Sequence, residues 1–221
     1  MTAIGIDGWK AGWIAVVVGD GPLRVEYRET LAGFVDRYPD ETLVVDVPIG
    51  FPLEGRRKAD AEARQFVGPR RSSVFSVAPK DVMERASYSE ALEWCRSKYR
   101  YGLSAQAFAL RHKISEASDL VAAGQLLAEG HPEVSFRALK GGHLEYSKKS
   151  WNGQAERQAL LGAAEIAIPL DLPAVVGSAP PDDILDAAVL AWTAQRLGAG
   201  AAESLPSPPE QISDRPVAIW F

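Results

Sequence analysis

The segment from Thr42 to Val47 constrains the fold most, because a single acid interrupts a run of strand-forming apolar residues. Leucine and valines at positions 43–45 and 47 predict a buried strand, which Pro48 ends. Asp46 lies inside this run. A buried carboxylate is costly unless it has a partner. The pattern therefore indicates either a structural ion pair or a site that needs a carboxylate at the end of a strand.

The segments before Thr42 predict a sheet with a crossover. Residues 3–7 form an apolar run that ends at Asp7, and residues 11–19 form a second, β-branched run. A turn at 20–22 follows, and residues 23–29 alternate apolar with charged side chains. We expect a three-stranded antiparallel meander, then a helix capped by Thr30, then the strand 42–47 reached by a right-handed crossover. In such an α/β fold Asp7 and Asp46 meet at one edge of the sheet.

The remainder of the chain is predicted to be mainly helical. We expect helices over about 56–67, 89–101, 104–129, 154–166 and 180–197. A short strand is predicted over 133–139 and a mobile basic loop over 140–153. Residues 198–214 have a loop-like composition, and 216–221 predict a last edge strand or a packed tail.

Composition limits the classes of protein that the chain can belong to. Its 221 residues suit a single domain that spans 1–221, and Cys95 is the one cysteine, so an intrachain disulfide is impossible. The N-terminus does not resemble a signal peptide, and no apolar run is long enough for a bilayer. We therefore expect a cytoplasmic protein without a membrane partner. The formal charge of -5 excludes a general nucleic-acid coat, but not a nuclease whose acids bind cations.

Five acids are candidates for a catalytic metal site. They are Asp7, Asp46, Glu133, Asp183 and Asp186. Carboxylates that converge in one cleft raise each other's pKa unless a cation neutralises them, and Mg²⁺ or Mn²⁺ does so with oxygen ligands. Asp183 and Asp186 are three residues apart, so they share one face of the last predicted helix.

Each acid also has a structural interpretation. Asp7 could begin a turn before Gly8, and Asp183 could be a charge favoured near a helix N-terminus. Asp46 could belong to a structural ion pair, and Glu133 has the least support of the five. No single acid is specific for metal binding, whereas the set is informative if the fold is as expected.

The order of these motifs resembles a known family. The segments are 5–13, with Gly5-Ile6-Asp7-Gly8, 45–52, with Val45-Asp46-Val47-Pro48, 68–75, 102–106, 131–136 and 182–187, with Asp183 and Asp186. Together they resemble the domain of unknown function four-two-nine (DUF429), a family described as predicted nucleases of ribonuclease H-like fold. The Asp-x-x-Asp-Ala start of the late helix is also similar to that of Holliday junction resolvases. The chain departs from the resolvases at its second acidic strand, where the acid is Asp46 and Pro48 follows.

The resemblance implies a specific architecture and site. It implies a five-stranded mixed sheet in the order 3-2-1-4-5, with strand 2 antiparallel, flanking helices and a helical insertion at about 56–130. It carries over the five acids as metal ligands for Mg²⁺ or Mn²⁺. It does not carry over a substrate, because fold does not determine function.

Basic and hydroxyl side chains are the candidate substrate-binding groups. Arg70, Arg71, Ser72 and Ser73 follow Gly68-Pro69 in a predicted loop, where guanidinium and hydroxyl groups suit phosphate oxygens. Lys148 and Lys149 are further candidates, and each of these groups could also be simply solvated. His131 is either a general base, a metal ligand or a turn residue. Trp9 and Trp13 either stack on bases or pack in the core.

These observations favour a divalent-metal-dependent nuclease or phosphodiesterase that acts on nucleic acid. Two other functions stay open. A non-catalytic nucleic-acid or protein-binding module could retain the fold, which would fit the acidic charge and weakly basic surface. A nucleotide-dependent phosphotransferase is a third possibility, but such proteins usually need two glycine-rich phosphate loops and a second duplicated domain, for which 221 residues leave little room.

Overall fold

The structure is a computed structural model that describes residues 2–221. Its centre is a mixed sheet of seven strands in the order β3-β2-β1-β4-β5-β7-β6. The strands are β1 (Ala3–Trp9), β2 (Gly12–Val18), β3 (Arg24–Arg28), β4 (Leu43–Val45), β5 (Leu127–Gly130), β6 (Ser204–Ile212) and β7 (Arg215–Trp220). Strand β2 is antiparallel to both neighbours, β4, β5 and β7 continue parallel from β1, and β6 returns antiparallel. The expected α/β class is confirmed, as is the order 3-2-1-4-5 of the first five strands.

Nine α-helices lie around the sheet within residues 2–221. They are α1 (Ala32–Arg37), α2 (Lys58–Val67), α3 (Lys80–Met83), α4 (Tyr88–Trp94), α5 (Ala105–Ala109), α6 (Arg111–Ala122), α7 (Pro132–Lys140), α8 (Trp151–Ala163) and α9 (Pro181–Gly198). Helices α2 to α6 all fall between β4 and β5, where the insertion is expected. A 3₁₀ turn over Gly68–Ser73 follows α2, and a π-helical turn over Cys95–Tyr99 follows α4. None of the helices within the described chain is long and apolar enough to cross a membrane.

The C-terminal part of the sheet corrects three predictions. The sheet has seven strands rather than five, because β7 and β6 extend it beyond β5, and 204–212, expected to be a loop, forms β6. Prolines in this segment suggested a loop, but an edge strand tolerates residues that lack an N–H donor. Strand β7 lies between β5 and β6, so the predicted edge position of 216–221 is wrong.

The region around Gly130 was also predicted incorrectly. The long helix expected over 104–129 is divided into α5 and α6 and ends at Ala122, and Leu127–Gly130 is strand β5. The strand expected over 133–139 is instead helix α7, which begins at Pro132. Proline at the first helical position is favourable because its missing N–H has no intrahelical partner there.

Helix α9 lies directly against the centre of the sheet, and Gly5 makes this possible. A Cβ atom added at Gly5 would lie 2.1 Å from the backbone oxygen of Ala187 and 2.1 Å from the backbone nitrogen of Ala191. Only a glycine in β1 therefore allows the α9 backbone to approach so closely. Val44 of β4 packs against Leu190 of α9 on the same face of the sheet. This face is the one that positions the candidate site.

Candidate metal centre

Asp7 and Asp46 are adjacent because they lie on neighbouring parallel strands, Asp7 two residues before the end of β1 and Asp46 directly after β4. Ile6 of β1 pairs with Val45 of β4, and the Asp46 backbone N–H donates to the Ile6 carbonyl oxygen at 2.8 Å. Side chains two residues apart in a strand point to the same face. Asp7 follows Gly5 by two residues and Asp46 follows Val44 by two. Both carboxylates are thus on the face covered by α9.

Helix α9 contributes the third carboxylate. Asp186 lies one turn before Leu190, the residue that packs against β4. Asp7, Asp46 and Asp186 each offer an oxygen atom, and these atoms all lie within 4.8 Å of one another. We call these three residues the acidic trio. Asp7 and Asp186 are buried, whereas Asp46 is partly buried. The sheet and α9 therefore gather acids that are distant in the sequence, and the trio could hold a metal ion.

Burial and mutual repulsion disfavour ionisation of the acidic trio. Burial raises the pKa of Asp7 well above its ordinary range, and the Asp46 and Asp186 carboxylates raise it further. Burial likewise raises the pKa of Asp46 to about 6 and that of Asp186 to about 7, although the Lys148 ammonium opposes both shifts. Without a neutralising cation, three ionised carboxylates at this spacing are unfavourable.

The trio lies in a cleft of about 450 Å³. Asp183 lines the same cleft one turn before Asp186, and Glu133, His131 and Ser73 line it from other elements. Among residues 2–221, Oδ1 of Asp186 and Oε2 of Glu133 are buried without a hydrogen-bond partner. A buried carboxylate oxygen without a donor is costly, and oxygen atoms are the ligands that Mg²⁺ and Mn²⁺ prefer. The residues present thus fit a divalent cation.

Comparison with known proteins places the chain in a family. A family described as "Protein of unknown function (DUF429)" matches residues 5–211. The chain belongs to the DUF429 family. Among solved structures, "Thermus thermophilus RuvC structure" is similar at 13% sequence identity over 91% of this chain and 98% of that chain, with a TM-score of 0.40. No curated protein matches the chain.

The family expected from the sequence is confirmed. Its description assigns no activity, and the similarity to RuvC at that TM-score is too weak to support one. The chemistry of this DUF429 protein must therefore be inferred from its own side chains.

Glu133 lies beside the acidic trio but is already paired. It occupies the first turn of α7, not the start of a strand as predicted, and its Oε1 accepts from Arg157 Nη2 at 2.6 Å. Arg157 is fully buried and also donates to the carbonyl oxygen of Gly153. The second carboxylate oxygen of Glu133, Oε2, is the one left without a hydrogen-bond donor. Glu133 thus has one oxygen that an ion near the trio could use.

Lys148 and Lys149 contact acids of α9. Lys148 Nζ donates to Asp186 Oδ2 and lies 3.9 Å from Asp182 Oδ2. Lys149 Nζ donates to Asp182 Oδ2. The sequence suggested that these lysines bind substrate, whereas here both are paired with carboxylates. Asp182 was not among the predicted site residues, although it is buried at the start of α9.

The predicted phosphate-binding segment is only partly at the cleft. Residues 70–73 form a 3₁₀ turn rather than an open loop. Ser73 lines the cleft, and its hydroxyl donates to the Arg70 carbonyl oxygen at 2.8 Å. Within residues 2–221, the side chains that line the cleft do not include Arg70, Arg71 or Ser72. Arg71 and Ser72 are exposed.

A buried network of ion pairs and hydrogen bonds connects the end of β5 to the segment that follows β4. Arg57 donates to Asp60 and to Glu129, and it also donates to the Ile49 carbonyl oxygen at 3.1 Å. The Ile49 N–H in turn donates to Glu129 Oε2 at 2.7 Å. This network holds the segment that follows Asp46. The sequence offered only the spacing of Arg57 and Asp60 as a signal, because Glu129 is 72 residues from Arg57.

The two tryptophans near Asp7 pack in the core. Trp13 is fully buried, and its indole N–H donates to Glu116 at 3.1 Å. Trp9 packs edge-on against Tyr27 with ring centroids 5.4 Å apart. Of the two interpretations of these residues, core packing is confirmed. His131 is partly buried at the cleft, where desolvation lowers its pKa, and its Nε2 lies 3.4 Å from the Ser73 carbonyl oxygen.

Proposed function

We propose that this DUF429 protein is a divalent-metal-dependent nuclease or phosphodiesterase of ribonuclease H-like fold. The observation that carries the proposal is the convergence of Asp7, Asp46 and Asp186, from two neighbouring parallel strands and helix α9, with one oxygen atom of each within 4.8 Å of the others. The order of the first five strands, with β2 antiparallel, supports the proposed fold. We also propose that the protein acts in the cytoplasm, where the buried thiol of Cys95 remains reduced.

The acidic trio would hold Mg²⁺ or Mn²⁺, with Asp183 and the free oxygen of Glu133 at the margin of the same site. When bound, such an ion supplies Lewis-acid polarisation of a phosphoryl oxygen and neutralises the charge that develops there. The carboxylates supply the negative charge that retains the ion, and their positions on the sheet and α9 fix its place. Helix α9 also excludes water from one side, because it packs directly on β1.

Basic groups around the cleft suit a phosphodiester. Lys10, Lys113 and Lys148 line it. Lys113 Nζ donates to the Gly12 carbonyl oxygen and lies 4.1 Å from the centre of the Trp13 ring, so its position is well defined. Ser73 adds a hydroxyl at the cleft, and we propose that Arg70, Arg71, Ser72 and Lys149 contact the nucleic acid beyond it. The acidic net charge is compatible with this function, because several acids belong to the cation site.

Cleavage assays test the proposed activity. Purified protein is incubated with Mg²⁺ or Mn²⁺ and a panel of DNA, RNA, hybrid and branched substrates. We expect metal-dependent cleavage that is lost in Asp7→Asn and in Asp46→Asn, because each variant removes a carboxylate of the trio. Asp36→Asn is the matched control, since Asp36 is an exposed acid on α1. Cleavage that persists in both trio variants would rule out this site.

A non-catalytic binding module is the second candidate, and the ion pairs of Lys148 and Lys149 favour it. Lys148 and Lys149 already contact Asp186 and Asp182, so part of the acidic charge is compensated without a metal. Calorimetric titration with Mn²⁺ distinguishes the two functions. The nuclease must bind the ion, and binding must disappear in Asp46→Asn. A module of this second kind has no such requirement.

A further inference from the structure

Lys148 lies where a cation would be expected. Its ammonium group donates to Oδ2 of Asp186, a member of the acidic trio. The other oxygen of the same carboxylate, Oδ1, is buried and has no partner within residues 2–221. The Lys148 side chain is 34% exposed, so it approaches from the rim of the cleft rather than from the core. One oxygen of the Asp186 carboxylate thus binds a lysine at the rim of the cleft, while the other is buried and open to an ion in the proposed site.

The backbone beside Lys148 is held firmly in place. Ser150 caps α8 by accepting from the Gly153 N–H at 3.1 Å, and its hydroxyl donates to the Ser147 carbonyl oxygen at 2.8 Å. A Cβ atom added at Gly153 would lie 1.8 Å from that same oxygen, so the chain at Ser147 packs directly on α8. Because the backbone is anchored on either side, a change in the position of the ammonium group requires only rotation of the long Lys148 side chain.

We propose that Lys148 is a built-in competitor of the divalent ion. In the metal-free protein its ammonium group neutralises Asp186, and a metal ion that binds the acidic trio displaces it. A dication beside Asp186 repels the ammonium and also takes over the carboxylate that holds it. The released side chain then remains at the rim of the cleft, where it can contact a phosphate of the substrate. This inference rests on the proposed metal site and adds that ion binding makes Lys148 available to substrate.

The neighbouring lysines are placed differently. Lys149 contacts Asp182, which is outside the acidic trio, and its side chain is 69% exposed. Lys113 donates to a backbone carbonyl oxygen rather than to an acid of the trio. The proposal is therefore specific for Lys148, and Lys149 provides a control that removes the same charge from the adjacent position.

Calorimetric titration of the metal-free protein with Mn²⁺ tests the competition. We compare the wild type with Lys148→Met and Lys149→Met. If the ammonium occupies Asp186 about nine-tenths of the time, its removal tightens Mn²⁺ binding about tenfold, because apparent affinity scales with the competent fraction. For Lys149→Met we expect a change below about threefold. Binding to Lys148→Met that is unchanged or weaker than to the wild type would overturn the proposal.

A labelling experiment on the wild type does not depend on the folding of a variant. Lysines are acetylated briefly with and without Mn²⁺, and the modified sites are quantified by mass spectrometry. We expect Mn²⁺ to increase the labelling rate of Lys148 several-fold. Lys140, which contacts Glu156 away from the trio, should label at the same rate in both conditions. An unchanged Lys148 rate at saturating Mn²⁺ would contradict displacement.

These outcomes separate the inference from the function on which it rests. If neither the wild type nor Lys148→Met binds Mn²⁺, the proposed metal site is wrong and the competition fails with it. If Mn²⁺ binds, Asp46→Asn abolishes the binding, and Lys148→Met leaves it unchanged, the metal site stands and the competition is refuted. Tighter binding to Lys148→Met together with faster labelling of Lys148 supports both.

Discussion

Replacing Asp46 by asparagine should stabilise the metal-free protein although it removes a candidate ligand. The side chain is partly buried, and its raised pKa, about 6 against the ordinary 3.8, reflects the cost of keeping it ionised in the fold. That rise corresponds to about 3 kcal/mol at pH 7.5, since one pKa unit is about 1.4 kcal/mol. The asparagine amide also requires partners, which offsets part of the gain. We expect a net increase of about 1–2 kcal/mol in the free energy of unfolding.

The gain should depend on pH in a defined direction. An acid whose pKa is raised by folding destabilises the ionised native state, and this penalty is lost as pH falls through the folded pKa of about 6. The difference between Asp46→Asn and the wild type should therefore be largest near pH 7.5 and should shrink towards pH 4. The same reasoning predicts that the metal-free wild type becomes more stable as the pH is lowered from about 8 to about 5, because the pKa of Asp186 is raised to about 7.

Thermal and urea unfolding in EDTA measure the effect. For a chain of 221 residues, a gain of about 1–2 kcal/mol raises Tm by about 2–8 °C. Asp36→Asn, on the exposed side of α1, should change Tm by less than about 2 °C. A lower Tm for Asp46→Asn than for the wild type at pH 7.5 without metal would refute the reasoning that repulsion dominates at this site.

Two substitutions test the packing that positions the site, and urea unfolding measures both. Gly5→Ala should destabilise the protein by about 3 kcal/mol, because the new Cβ atom would lie 2.1 Å from backbone atoms of α9. Gly162→Ala is the control: a Cβ atom there meets open space beside α8, so the substitution should be neutral or slightly stabilising. A Gly5→Ala protein as stable as the Gly162→Ala control would mean that α9 is not held against β1. Arg57→Met should cost about 3–5 kcal/mol, because it leaves two buried carboxylates unpaired, and a loss as small as that of the exposed control Arg56→Met would contradict this account.

The strands that carry Asp7 and Asp46 could be predicted because their signal is local, although β1 continues two residues beyond Asp7 to Trp9. An apolar run closed by an acid and a proline or glycine requires only neighbouring residues, and the crossover rule then places the two strands side by side. Asp186 was within reach for the same reason, since a three-residue spacing on a helix defines a shared face. The convergence of these three acids is thus largely a consequence of sequence patterns.

The pairings of Glu133 and Lys148 could not be predicted in this way. The sequence indicated a strand at Glu133, but Pro132 begins a helix whose first turn presents this acid to the buried Arg157. The basic loop was expected to be mobile, yet Lys148 is bound to Asp186, 38 residues away. Strand β6 was predicted as a loop because its segment contains prolines, which an edge strand tolerates since it does not need every N–H donor.

The sequence by itself determined where the strands that carry Asp7 and Asp46 lie, which acids share a face of α9 and which family the chain belongs to. The strands and the shared helix face depend on the periodicity of side chains along a few consecutive residues, whereas the family is identified from motifs spread along the chain. The tertiary structure alone decided which acids are free and which are neutralised by Arg57, Arg157 or Lys148. The reason is physical: the energy of a charge depends on its burial and on groups within a few ångströms, and packing brings those groups together from distant parts of the chain.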